Sequence, residues 1–464
     1  MIRSPAGFDG GDRIKRYLDY YQPSYGVMML SAGQFSPALL FAAGEQGAWY
    51  DPSDFSTMFQ DAAGTTPVTA VEQPVGLIRD KSGRGNHASQ ATPASCPVLS
   101  ARVNLLTYTE QFDNAAWTKS NVTISANAVT APDGTTTADK MVETAAFGAH
   151  LVQQQFTSVA TSHTLSCYMK PAERSIGVIR AFDGAGYATY FDLNAGTVLT
   201  NAAGNTASIS PAANGFYLCT VSRTFLATAS ALMQVGCAAT DNTLSYLGNG
   251  TSGIYIWGAG LRVTNDGVGI PAYQRVAAAT TYDTNGFPLY LKFDGANDSL
   301  ATASITPGAD KVQVFAGIRK TSDAALAIVA ELSATIATNA GSFAFTAPNS
   351  AAANYNFSSK GTTQTDNTVT TYTSPLTSVL SGIADISGAS NLIRVNGAQV
   401  GSVLTTQGTG NYLAYPIYIG RRGGTSNPFN GRIYSLILRF SAANLSNAQI
   451  ASTETWVNGK TNAY

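Results

Sequence analysis

Short runs of alternating apolar and polar residues, each closed by a turn signal, recur along the chain and restrict it to antiparallel β architecture. In the run 312–319, Val312, Val314 and Ile318 share one face, the pattern of a half-buried strand. Segments 288–293, 416–421 and 432–440 read the same way. Segment 391–403 contains Asn396-Gly397, the strongest short hairpin signal, because both residues tolerate positive φ. The middle of the chain repeats the style over 164–169, 176–182, 217–223 and 253–263. Asp183-Gly184, Asn214-Gly215 and Asn249-Gly250 supply turns between these runs. Many short strands with regular turns pack as sandwiches.

Helical signals are few. Phe55, Met58 and Phe59 form one short amphipathic turn after Asp51-Pro52-Ser53. A longer helix is expected near the C-terminus, where Ser446 and Gln449 make a capping box. Asn458-Gly459 is its expected stop.

Charge narrows the range of partners. Only 12% of the 464 residues are charged and the formal net charge is −1, so no global field attracts nucleic acid or an anionic membrane. The low charge suits subunits that pack against one another. Arg13, Lys15 and Arg16 precede an apolar stretch over 26–43, but Gln34, Ser36 and Pro37 interrupt it. The stretch falls short of the roughly 20 apolar residues of a membrane span. Neither export nor membrane insertion is expected, and the segment reads as a docking arm or buried core.

The four cysteines, Cys96, Cys167, Cys219 and Cys237, stand far apart and form no metal-binding motif. They read as buried free thiols. The three histidines, His87, His150 and His163, lie in no catalytic pattern, and His87 fits a structural hydrogen bond in a Gly-rich loop. Asp183, Asp192, Asp294 and Asp298 come forward as glycosidase carboxylates only because acids are scarce; Asp183, Asp294 and Asp298 fit turns better.

Two separated pieces resemble one family. The run 80–88, Asp-Lys-Ser-Gly-Arg-Gly-Asn-His-Ala, resembles the opening loop of concanavalin A-like (laminin G-like) sandwiches. The run 291–300, Leu-Lys-Phe-Asp-Gly-Ala-Asn-Asp-Ser-Leu, resembles the strand and turn that follow it. Phe429 to Tyr434, Leu445-Ser446 and the helix carrying Trp456 resemble the family's close. Trp49 to Asp54, running into Ala62 to Pro67, resembles the lead-in of phage proteins of this kind.

Between these pieces, Asn104 to Asp113, Trp117, Asp133-Gly134 and Ala138-Asp139-Lys140 resemble the start of a carbohydrate-binding-module-like jelly roll of phage tail and fibre proteins. Ile254 to Leu261 and Pro271-Ala272-Tyr273 resemble its end, with Arg262 standing where an acidic residue is common.

The resemblances imply an all-β chain: a concanavalin A-like β-sandwich over 45–100 and 281–464, split by an inserted β jelly roll over 104–273, behind an N-terminal docking arm over 1–44. Residues 1–44 match neither sandwich. Loop tips accept such guests when the guest's ends lie close together.

The function implied is that of a bacteriophage virion structural protein at the particle surface, in a tail fibre or baseplate, adhering to a host-surface glycan. The alternatives are a capsid decoration or head-fibre protein without a glycan ligand and, third, a polysaccharide-degrading enzyme; the expectation is no enzyme. Other virion proteins and sister subunits, as a homotrimer, are the expected partners. Sugar binding relies on aromatic rings against pyranose faces, and Trp117, Tyr168, Tyr187 and Tyr190 are the candidates, with Tyr187 and Tyr190 bracketing one exposed face. Trp257, in an alternating apolar strand, and Trp456, on the final helix, read as packing. Calcium is common in both families, but Asp294 to Asp298 reads as a turn, so no metal and no cofactor are expected.

Overall fold

The computed structural model describes residues 35–464. The expected arm over 1–44 therefore lies mostly outside the described residues. Its last part contains a short 3-10 helix, Pro37–Phe41, capped by Ser36, which buries Leu40 and Phe41.

The described chain forms two antiparallel sandwiches. One pairs an 8-stranded sheet with a 9-stranded sheet. In the first of these, Lys311–Lys320 and Asn430–Ser441 are central neighbours, and Tyr290–Asp294 lies between Asn430–Ser441 and Val98–Ser100. Gln46–Tyr50 also pairs with Asn430–Ser441. In the second sheet Ala88–Ser89 lies beside Leu300–Thr302. Strands from before and after the middle of the chain thus interleave in both sheets. Their shared core draws on residues from Ala48 to Leu99 and from Leu291 to Phe440, with none from between.

The other sandwich pairs a 6-stranded sheet with a 7-stranded sheet. Its core runs from Leu106 to Leu261. The fold is thus one β-sandwich split in sequence by a second, inserted β-sandwich, as the sequence reading expects.

Local signals explain many elements. Asn396 and Gly397 sit at φ 50° and 80° between Ser390–Val395 and Ala398–Val403, a two-residue hairpin whose twist matches its strands. The loop over 80–88 is organised by Asp80. Its carboxylate accepts from the backbone N–H groups of Trp49, Ser82 and Asn86, and its own N–H donates to His87 Nδ1 at 3.0 Å. The four cysteines are buried and unpaired.

Three expectations change. Residues 312–319 are buried on both faces of their strand, not half-buried. The reason lies more than a hundred residues downstream, in the helix Asn447–Thr461, which covers the outer face. There Phe315, Val379 and Ile437 pack with Ile450 and Val457. Gly317 is needed at that contact, since a Cβ would come within 2.5 Å of Thr461 Cγ2. The helix also outruns its expected stop: Asn458 and Gly459 lie inside it, and Asn462, at φ 51°, caps it. Asn458 Oδ1 instead accepts from the N–H groups of Ala463 and Tyr464. Finally, the amphipathic turn is a 3-10 helix, Phe55–Thr57, running directly into the strand Met58–Phe59.

Candidate functional site

The junction between the sandwiches positions everything on the insert. Gln274, 2% exposed, accepts from the N–H groups of Val103 and Asn104 and donates to the carbonyls of Ala101 and Asp283. Both chain crossings are thereby held by one side chain. Arg102 adds a staple, donating to the carbonyls of Asn104, Leu105, Leu106 and Ala279. Further along, Arg319 and Arg432 of the host sheet meet Asp266 at 3.3 and 2.8 Å. Arg319 also donates to the carbonyl and side-chain oxygens of Asn265.

The four aromatic candidates do not form a platform. Trp117 is 1% exposed, packed at a tilt against Phe112 in the inter-sheet core, and its indole N–H is spent on the Tyr108 carbonyl. It offers no ring face to a sugar. Tyr187 and Tyr190 are an odd number of residues apart, so their side chains point to opposite faces of the strand Gly186–Asp192. They do not bracket one face. Tyr190 is 3% exposed and packs with Val178 and Ala238, and this burial pushes its hydroxyl pKa up. The Tyr187 ring is covered by the Arg223 guanidinium, 3.1 Å from the ring centroid. Tyr168 is half-buried in an aromatic group with Trp257 and Tyr273, at centroid distances of 5.3 and 6.1 Å. Trp257 is buried and donates to Thr137. Arg262 donates to the Pro271 carbonyl, a structural contact.

The outer face of the 7-stranded sheet carries a different constellation. Cross-strand register places Arg180 beside Gln234, and Gln234 beside Gln153. The three side chains are chained: Arg180 Nη1 donates to Gln234 Oε1 at 2.7 Å, and Gln234 Nε2 donates to Gln153 Oε1 at 2.6 Å. The guanidinium lies over the Phe182 ring at 5.0 Å and against Gly186, where a Cβ would collide with it. Burial lowers the Arg180 pKa, yet guanidinium remains charged across the working pH range.

The result is a preorganised polar row. It has a cationic end, an amide end at Gln153, and a half-buried aromatic ring beside it. Such a row can read hydroxyls, because its donors and acceptors are already held and lose little rotamer freedom on binding. Sequence reasoning missed these residues. The usable signal was the outward phase of Gln153 and Gln155 in the run Val152 to Phe156, and of Arg180 and Phe182 in 176–182.

The carboxylates raised as glycosidase candidates serve turns. Asp294 Oδ1 accepts from the N–H groups of Ala296 and Asn297, and Asp298 accepts from that of Asp294. Asp192 accepts from Asn194 and Ala195, and Asp183 from Ala185. Among the described residues, no group of three or more His, Cys, Asp or Glu side chains is placed to hold a metal ion.

No known protein family matches the chain, and no curated protein matches it. Solved structures that align with it include the CBM40 module of a Ruminococcus gnavus IT-sialidase bound to α2,3 sialyllactose. That match has 13% identity and TM-score 0.27, covering 33% of this chain and 97% of that one. A SAP-like pentraxin from Limulus polyphemus aligns at 11% identity and TM-score 0.28, covering 34% and 78%. The binding domain of botulinum neurotoxin DC aligns at 12% identity and TM-score 0.28, covering 37% and 43%. The fold assignment rests on the strand order given above.

Proposed function

We propose that the chain is a non-catalytic structural protein of a bacteriophage particle surface, of the tail-fibre or baseplate kind, that presents its inserted sandwich to a host-surface glycan. The phage setting rests on the sequence resemblance of both sandwiches to virion modules. The glycan reading rests on one structural observation: the Arg180–Gln234–Gln153 row beside Phe182. A single shallow site of this kind binds weakly, and the copies on a particle raise avidity by about 10² to 10⁴. A homotrimer would present the face in several copies.

The test uses the full chain and purified particles. Mass spectrometry of particles tests incorporation. Binding to host-surface polysaccharide is then compared between the native chain and Arg180→Ala and Gln153→Ala variants whose folding is verified. Loss of a charge-assisted hydrogen bond, worth about 1.5–3 kcal/mol, weakens single-site binding by about tenfold or more. Unchanged binding in both variants moves the site away from this row. Binding by neither chain nor particle removes the adhesive role.

A further inference from the structure

A groove of about 370 Å³ opens at the junction of the two sandwiches, remote in sequence from the Arg180 row. Its size lies within the roughly 300–1,000 Å³ of small-molecule sites, and domain junctions are where such sites concentrate. Ser100, Tyr290, Lys292, Asn430 and Arg432 line its host side, and Arg102 and Leu105 line the side where the chain leaves for the insert.

The lining is ordered by register. Tyr290 sits opposite Ser100, and Lys292 sits opposite Arg432. Tyr290 and Lys292 alternate onto one face, as do Asn430 and Arg432, so the groove is built on a single sheet face. Arg432 lies over the Tyr290 ring at 4.5 Å and is tied to Asp266, which fixes the floor. Glu72 closes the near edge. One of its carboxylate oxygens, Oε1, accepts from the hydroxyls of Ser100 and Tyr282. Its backbone has φ 62°, a left-handed conformation rare for glutamate and held by an N–H bond to the Leu99 carbonyl.

The unused hydrogen-bonding capacity is complementary. Among the described residues, Glu72 Oε2 accepts from no protein group, and Lys292 Nζ meets no carboxylate within 4.0 Å. Asn430 accepts at Oδ1 from Thr321, while its Nδ2 donates to no protein group. Across the strands the order is therefore acceptor, cation, amide donor. Neighbouring sugar hydroxyls need this alternation, since each donates one proton and accepts at its oxygen. Glu72 and Lys292 offset one another, while Arg102 and Arg432 leave the lining net positive.

We propose that this groove is a second ligand site, independent of the Arg180 face, that takes one saccharide unit through a vicinal diol held between Glu72 and the Lys292–Asn430 pair.

The experiment is saturation-transfer NMR on the full chain with glucose, galactose and mannose at millimolar concentration, for the native protein and for Glu72→Gln, Lys292→Ala and Arg180→Ala. Glu72→Gln preserves shape and keeps a carbonyl acceptor for the Ser100 and Tyr282 hydroxyls; native-like thermal unfolding verifies its fold. The expected result is transfer to at least one sugar that persists in Arg180→Ala, whatever share the outer face of the insert contributes, and an affinity about tenfold lower in Glu72→Gln and in Lys292→Ala. Transfer to none of the sugars overturns the proposal. So does transfer that survives both groove substitutions. Transfer lost only in Arg180→Ala assigns binding to the outer face of the insert and likewise overturns the groove.

Discussion

Asp266, just beyond the last long strand of the inserted sandwich, places its Oδ1 2.8 Å from Arg432 Nη1 on the host sheet, with both side chains largely withdrawn from water. Arg319, 1% exposed, shares the same carboxylate. The insert is thus joined to its host by an ionic contact as well as by its two chain crossings.

Asp266→Ala leaves two guanidinium groups at the host face without their shared counter-charge. Removing one partner of a buried pair costs about 3–5 kcal/mol. A lowered thermal midpoint is expected, together with wider relative motion of the two sandwiches in small-angle scattering. An unchanged scattering profile and midpoint would show that the crossings alone hold the insert.

Stability should fall as pH rises through about 6. Burial pushes the Asp139 and Asp298 carboxyls up to about 6, above the roughly 3.9 of an unfolded aspartate. A raised folded pKa means that the folded state holds the proton more tightly. The stability this confers is fully present below about 3.9 and is lost as pH rises through about 6. Asp298→Asn keeps a carbonyl to accept from the Asp294 N–H and removes the titration. Its thermal midpoint, scanned from acid to neutral pH, should slope less than that of the native protein; parallel profiles refute the assignment.

Trp117 and Phe182 separate packing from recognition. Trp117→Ala empties a core position and should cost about 3–5 kcal/mol. Phe182→Ala removes a half-buried ring from the outer face and should reduce polysaccharide binding with a much smaller change in the thermal midpoint. Chemical denaturation and glycan binding on both variants check the pair. Equal destabilisation would place Phe182 in the packing as well.

Gly317→Val pushes a side chain into Thr461 and Val457. Overpacking of this kind costs about 1–3 kcal/mol. The expected outcome is a loosened Asn447–Thr461 helix, read as faster amide exchange at Val457 and Thr461 with slow exchange retained in the inserted sandwich.

Local chemistry made part of this fold legible. The Asn396-Gly397 hairpin and the Ser446–Gln449 capping box are decided within a few residues, and both stand where the sequence places them. The strands Ile176–Phe182 and Gly253–Val263 begin and end where the sequence places them, although Ile256 to Leu261 are buried without alternation. The two-sided burial of 312–319 was hidden, because the helix that covers it lies far downstream in the chain. Aromatic content misled at the site: Trp117 and Tyr190 carry rings suited to sugar, but ring type does not say which face of a sheet is dry. The Arg180 row was hidden for another reason. Its hydrogen bonds join residues 54 and 81 positions apart, and only register between strands brings them side by side.

The double tether through Gln274 also bears on how the molecule carries load. Both crossings leave the host within one patch, bound by a single amide and braced by Arg102. A pull on the outer face of the insert therefore reaches the host through two short, parallel attachments rather than a slack leash. Force on the insert is passed on without first stretching a linker. The same arrangement makes the insert an exchangeable cassette, in which another sandwich with similarly spaced ends and an acidic residue facing Arg319 and Arg432 would seat on an unaltered host.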